Sequence, residues 1–420
     1  MEPTSSPAAA PREFFIDWLR IAALGLLILF HVGMAYTSWN WHVKSAAAAD
    51  VAAAVEPWMR LTAPWRMTLL FVVSGLATSL MLQRRAVTPG GWLRQRARRL
   101  LLPLLAGVVL VVPPQSYFEV RQFHGYAGSF IDFLALYFSA YGGFCSALRG
   151  CLILPTWNHL WFLLYLFAYT AVLAWVLRRW PGAVDRLAAR APSSLAGAGL
   201  LAWPFAWFAV TRATLAPIFG ETHAFFDDLF LHTQFAPAFA LGVLLARRPA
   251  AALWPRLQAQ RHLALACALL AWGLIVATTP GAAWRLLPWS LMQWCAIVAA
   301  LGYARCHLQR DSALRARLSE AVFPVYVLHQ TVTVLAVVLL ARWRLPAAAE
   351  AGLLVVLTFG LSWAGYELVR RMARLRPWFG LAEGQEGHEG HAGPVADPGA
   401  GLGAGQGAAE MRATESRVST

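Results

Sequence analysis

Charge is scarce in this chain: Asp, Glu, Lys and Arg make up 13% of its 420 residues, where soluble domains carry about 25%. Set against 59% hydrophobic residues, with 20 Trp and 23 Phe, that shortage excludes an ordinary soluble protein and points to an all-α, polytopic integral membrane helix bundle. Cysteine is sparse and odd in number, at five. Cys145 and Cys151 stand near each other in a segment where oxidation is permitted, so a disulfide and two free thiols both stay open. Cys267 and Cys295 read as buried small apolar residues. There is no internal repeat and no second folded domain. The first apolar stretch lacks the marks of a cleaved signal, because Arg20 interrupts it and no small-x-small site follows.

Acidic residues are outnumbered, 21 against 35 Lys and Arg, giving a formal charge of +14. The excess does not form a basic patch on a soluble module, so nucleic acid is not an expected partner; membrane lipid is. The arginines lie between apolar runs, where they set topology. Runs of spanning length fall near 16–38, 64–83, 98–114, 158–178, 195–217, 229–247, 262–279, 284–304, 321–341 and 348–371, about ten transmembrane helices. Alternate connections carry arginine clusters: Arg84 to Arg99, Arg178 to Arg190, Arg247 to Arg261, and Arg305 to Arg317, with Arg370 to Arg376 after the last run. The connection holding Glu221, Asp227 and Asp228 is acidic. This alternation puts both termini in the cytoplasm of a cell whose inner (plasma) membrane the chain crosses many times.

Three parts are expected: a cytoplasmic segment 1–14, a membrane domain 15–378, and a disordered cytoplasmic tail 379–420, where Gly, Ala, Glu and Ser dominate from Glu383 onward. His388 and His391 beside Glu386 and Glu389 lack a scaffold, so no metal is expected. The Ala-rich stretch Ser45 to Val55 reads as a surface helix or a connection. The segment Pro113 to Pro155 reads as a long excursion on the far side.

Ionisable groups at bilayer depth are costly and mark sites. In the first run Arg20 and His31 are eleven residues apart, which returns them to one helix face about 16 Å apart; Asp17 lies one turn before Arg20. His31 reads either as a neutral core histidine or as a general base for an attacking hydroxyl. Arg20 cannot lose its charge, so it needs Asp17 or an anionic ligand. Arg96 and Arg99, one turn apart, suit topology or the phosphates of a nucleotide. His159, in Trp157-Asn-His-Leu-Trp161, and His329, in Pro324-Val-Tyr326-Val-Leu-His329, add two histidines in aromatic surroundings. A lone histidine there is more often structural; three on three spans argue together.

The Arg-x10-His pattern of Arg20 and His31, the Arg-x2-Arg pair Arg96 and Arg99, the Ser74-Gly75 step, His159-Leu-Trp161-Phe-Leu and the Tyr326 to His329 stretch resemble, in order and spacing, the membrane acyltransferase 3 family, and within it the glucan-modifying protein C branch. The resemblance covers residues 12 to 378. It implies transfer of an acyl group, acetyl or succinyl, from a cytoplasmic acyl-CoA co-substrate to a carbohydrate hydroxyl on the far side. His31 would be catalytic with Arg20 paired to it, either as a base or through an acyl-histidine intermediate. Arg96 and Arg99 would serve acyl-CoA use, and Asp17, Ser74, His159, Trp161, Tyr326 and His329 would line the pocket. Leu76 stands where an aromatic residue is expected on one pocket wall. The rival class is a transporter or flippase with these groups along its path; it predicts repeats and matched mid-span breaks, which this sequence lacks.

Overall fold

The computed structural model describes residues 13–84, 89–147, 149–279 and 281–382. The first twelve residues and the tail from Glu383, with His388 and His391, lie outside the described residues. What is described is helical because an apolar environment offers the backbone no water, leaving each N–H and C=O to be satisfied within its own helix.

The helices in chain order are α1 (Phe14–Met34), α2 (Ala48–Arg60), α3 (Arg66–Arg84), α4 (Pro89–Ala106), α5 (Pro113–Phe123), α6 (Phe130–Phe138), α7 (Trp161–Arg179), α8 (Ala183–Ser194), α9 (Gly199–Phe219), α10 (Leu229–Leu245), α11 (Leu253–Ala277), α12 (Leu286–His307), α13 (Ala313–Leu340) and α14 (Ala347–Arg371). Among the described residues seven helices are long and apolar enough to cross a membrane, and nine if two bent pairs each count as one span. Every apolar run became a helix, yet about ten crossings is an approximate count, for local reasons. Beyond α4 a π-helical turn, Gly107–Val111, leads into Pro113 at the first turn of α5, and the axis bends by 43°. The chain between α8 and α9 turns by 109°, and α10 is only 17 residues long.

The segment Pro113 to Pro155 is more ordered than a loop. It holds α5, which packs on α13, and α6, which opens with a capping box between Ser129 and Asp132. A short hairpin follows, Cys145–Ser146 against Gly150–Cys151, and Cys145 and Cys151 are joined as a disulfide. The Ala-rich stretch forms α2. Cys295 is buried and Cys267 partly so.

Two contacts fix the frame around the site. Helices α3 and α10 touch backbone to backbone: a Cβ on Gly75 would lie 2.0 Å from the Phe239 carbonyl oxygen, and one on Gly242 would lie 1.9 Å from that of Val72. Only glycine fits at either place, in the manner of close membrane helix pairs. Helices α1 and α13 run parallel and in register. Asp17 on α1 pairs with Arg315 on α13, and His31 meets His329, both at a separation of 298 positions. The two contacts are fourteen residues apart on each helix, about 21 Å along the axis.

Candidate active site

A cavity of about 260 Å³ lies between α1, α3, α4, α7 and α13. Each helix gives it one stripe at helical spacing: Arg20, Leu24 and Leu27 from α1, then Leu70, Ser74, Ala77, Thr78 and Met81 from α3. Helix α4 adds Arg96, Arg99 and Leu100, and α13 adds Val322, Phe323 and Tyr326. The Ser74-Gly75 step therefore divides its labour: Ser74 faces the cavity while Gly75 seats α10.

One end of the cavity is cationic. Arg20, Arg96 and Arg99 all line it, close enough for their charges to repel, and none of the lining residues is acidic. Arg96 donates from Nη2 to Thr78 Oγ1 at 3.0 Å. Among the described residues Arg20 has no hydrogen bond or ion pair. An Asp17–Arg20 pair within α1 does not form, because Arg315, 2% exposed, takes one oxygen of the Asp17 carboxylate and Ser319 Oγ lies 3.3 Å from the other. A full guanidinium and a hydroxyl hold the carboxylate toward α13, so that only its charge reaches Arg20 and the Arg20 N–H donors remain for an anion. Arg99 also lines a wider cavity of about 850 Å³, with Arg98, Glu320 and Arg376.

Packed on Tyr326 and outside the lining residues is a chain of histidines whose tautomers follow from their partners. His329 Nδ1 lies 2.6 Å from the Tyr326 carbonyl oxygen, which can only accept. That nitrogen therefore carries the proton, and in the neutral ring Nε2 is an acceptor. His31 Nδ1 stands 2.8 Å from it and donates. The remaining nitrogen of His31, Nε2, is left with a lone pair and no hydrogen-bond partner among the described residues. His159 donates from Nε2 to the Val327 carbonyl at 3.0 Å, and Tyr326 donates its hydroxyl to the His159 carbonyl at 2.5 Å. His31, His159, Tyr326 and His329 thus come together as one unit, but of these only Tyr326 lines the cavity; His159 and His329, and Asp17 turned toward Arg315, lie outside its wall, contrary to expectation.

Trp161 does not join them. Its ring packs with Tyr165, Phe235 and His223. Leu76 is likewise absent from the cavity wall, buried in the core instead, so the missing aromatic residue at that position does not alter the pocket.

Some participants had no signal in the sequence. Glu119 on α5 accepts from His42 Nδ1 at 2.5 Å, and the Gln330 amide, next to His329, donates to His42 Nε2 at 2.7 Å and to Gln115 Oε1 at 3.0 Å. His42 and Glu119 are 77 positions apart, and nothing local marks either. Arg315, by sequence one of the topology arginines, pairs instead with Asp17.

The model of the acyltransferase domain matches residues 13–367. The "Glucans biosynthesis protein C" of Escherichia coli (strain SMS-3-5 / SECEC) is 32% identical over 180 residues, which cover 41% of this chain and 41% of that protein. The proteins of the same name from the O1:K1 / APEC and O139:H28 (strain E24377A / ETEC) strains match to the same extent. The chain therefore spans about two fifths of the length of these relatives, 41%. No solved structure matches it.

Proposed function

Because this chain belongs to the acyltransferase domain family, matched from residue 13 to 367, and is a multi-pass membrane acyltransferase, we propose that it moves an acyl group, acetyl or succinyl, from cytoplasmic acyl-CoA to a hydroxyl of a carbohydrate or glycan across the inner (plasma) membrane. Both termini are then cytoplasmic. The observation that carries this reading is a polarity: three arginines line the cavity with no carboxylate among the lining residues, and an imidazole with a free lone pair stands one helical turn past Leu27 on the same face of α1. A thioester whose anionic portion is held by Arg20, Arg96 and Arg99 directs its slender acyl arm along Leu24, Leu27 and Leu70 toward His31. The wider cavity beyond Arg99 has the charge for nucleotide phosphates. The relatives' printed name supports a glucan-type acceptor.

The step balances with this chain's own groups. His31 Nε2 takes the proton of the acceptor hydroxyl as its oxygen bonds to the acyl carbon. The carbon–sulfur bond then breaks, and His31 returns the proton to the departing sulfur, giving an ester and a free thiol. His329 fixes the tautomer that makes this possible without touching substrate; it is a positioning residue.

Inside-out vesicles from the cells that make the protein, given radiolabelled acetyl-CoA on the exposed cytoplasmic face, are expected to accumulate label in lumenal carbohydrate. His31→Ala vesicles should not, and Arg96→Gln with Arg99→Gln should raise the KM for the donor. Label accumulation in His31→Ala at the wild-type rate overturns the proposal.

A further inference from the structure

Each cavity-lining stripe can be followed one turn past the cavity, away from the arginines. On α1 the stripe Arg20, Leu24, Leu27 continues to His31. On α13, Val322 and Tyr326 continue to His329. On α3, which enters from the other direction, Met81, Ala77, Ser74 and Leu70 continue to Arg66. These three residues cap the same end, since the Arg66 guanidinium carbon lies 3.2 Å from the ring centroid of Phe30, the residue before His31.

Arg66 is incompletely satisfied in a way its surroundings do not explain. The Phe30 ring covers the flat face of the guanidinium, which suits a cation, but the N–H donors point outward in the plane and gain nothing from it. Both Nε and Nη1 are shielded from solvent and have no acceptor. Glu221 is near enough to act on the charge, yet its carboxylate is bonded to Arg212 at 3.2 Å. Buried donors are ordinarily paired, and leaving them open costs stability. A cation kept in that condition beside a base indicates an acceptor atom that arrives with the substrate.

We propose that Arg66 is a further catalytic residue, donating to the carbonyl oxygen of the reacting acyl group and holding the negative charge that develops there. The inference rests on the acyl-transfer reading above. As the acceptor oxygen adds to the acyl carbon, the carbonyl π electrons move onto the oxygen; they return when the carbon–sulfur bond breaks. The oxyanion exists only between those two events. Donors already in place and sealed from water act on it most strongly. Arg66 therefore lowers the barrier without contributing to donor affinity, a task separate from that of Arg20, Arg96 and Arg99 at the other end.

The test compares Arg66→Gln and Arg66→Lys with wild type and His31→Ala in the vesicle assay, using acetyl-CoA and succinyl-CoA as donors, and adds the thermal unfolding midpoint of each purified protein. For Arg66→Gln we expect kcat to fall on the order of 10²-fold to 10³-fold with either donor, KM for the donor to stay within threefold (an order-of-magnitude bound), and the unfolding midpoint to hold or rise. Arg66→Lys should recover part of kcat. Turnover of Arg66→Gln close to wild type overturns the inference, and so does a loss confined to succinyl-CoA, which would assign Arg66 to the terminal carboxylate of the acyl group. A lower unfolding midpoint in Arg66→Gln also overturns it, since the residue would then be structural. An inactive His31→Ala beside an active Arg66→Gln defeats this inference alone, whereas absence of label transfer in the wild type defeats the acyl-transfer reading itself.

Discussion

His31 Nδ1 and His329 Nε2 stand 2.8 Å apart with their ring planes 5° from parallel. The hydrogen bond runs in one direction only, because the second nitrogen of His329 is committed to the Tyr326 carbonyl. A neutral pair can therefore hold its free lone pair at a single place, Nε2 of His31. Replacing His329 by Phe removes the acceptor and lets His31 choose either tautomer. The expected result is a fall in kcat on the order of 10²-fold, with His31→Ala falling by 10²-fold to 10⁴-fold and both variants inserting normally. Wild-type turnover in purified His329→Phe would show that the pair is packing alone.

Arg20→Lys keeps the charge and discards the planar fork. With three arginines on one cavity, a point charge satisfies Coulomb attraction but cannot make two parallel hydrogen bonds to one oxyanion group. Donor KM in this variant is expected to rise by roughly tenfold, the order of one lost charge-assisted hydrogen bond. Unchanged donor kinetics would show that charge alone is needed there.

Gly75→Val tests the α3–α10 seam. Its Cβ would meet a carbonyl oxygen, which cannot swing aside, so the helices must part at a cost of about 1–3 kcal/mol or more. Gly25→Ala is the control, because nothing lies within 4 Å of that added carbon, and the helix gains up to about 1 kcal/mol of propensity. Thermal unfolding in detergent should separate the two by sign; equal midpoints would mean that the seam is loose.

Lys44 gives a pH dependence. Burial, and then the charge of Arg149, push its pKa down from 10.5 to about 8, while its ammonium reaches the Met34 carbonyl at the end of α1 at 2.5 Å. Between about 8 and 10.5 the folded chain holds less of that proton than the unfolded chain. Stability from this group is therefore gained as pH rises through the window and is absent below it. The wild-type unfolding midpoint minus that of Lys44→Met should increase from pH 8 to pH 10.5; a flat difference would show an ordinary, solvated lysine.

Sidedness can be read with Gly142→Cys and Gly90→Cys, both at positions where a side chain meets nothing within 4 Å. Cys267, Cys295 and Cys306 are replaced, and the disulfide is kept. An impermeant thiol reagent should label intact cells at residue 142 and not at 90. The reverse pattern would invert the bundle and reverse the donor and acceptor sides.

The helices and the two ends of the site were legible because both are written in local periodicity. Arg20, Leu24, Leu27 and His31 announce a face by spacing alone, and so do Arg96 and Arg99. What failed to show were pairings between distant segments. Asp17 looked as if it belonged to Arg20, three residues away, but a parallel neighbour brought Arg315 closer, and 298 positions of sequence hide that. Helix α8 was likewise invisible, since the apolar run 195–217 begins only after it ends at Ser194 and the segment before that run carries arginines rather than apolar periodicity. Arg66 had no marker because its significance lies in what its nitrogens lack.

Arg99 belongs to the walls of both cavities, so one guanidinium serves as the border post between a broad antechamber and a narrow corridor. A molecule reaching His31 by this route passes within reach of that side chain and must be thin ahead of its charge and bulky behind it. Under the proposed acyl-transfer reading, this shared residue would select by shape before any chemistry begins: a bulky anionic head on a slender arm fits both cavities at once, while a compact anion or an uncharged rod fits only one.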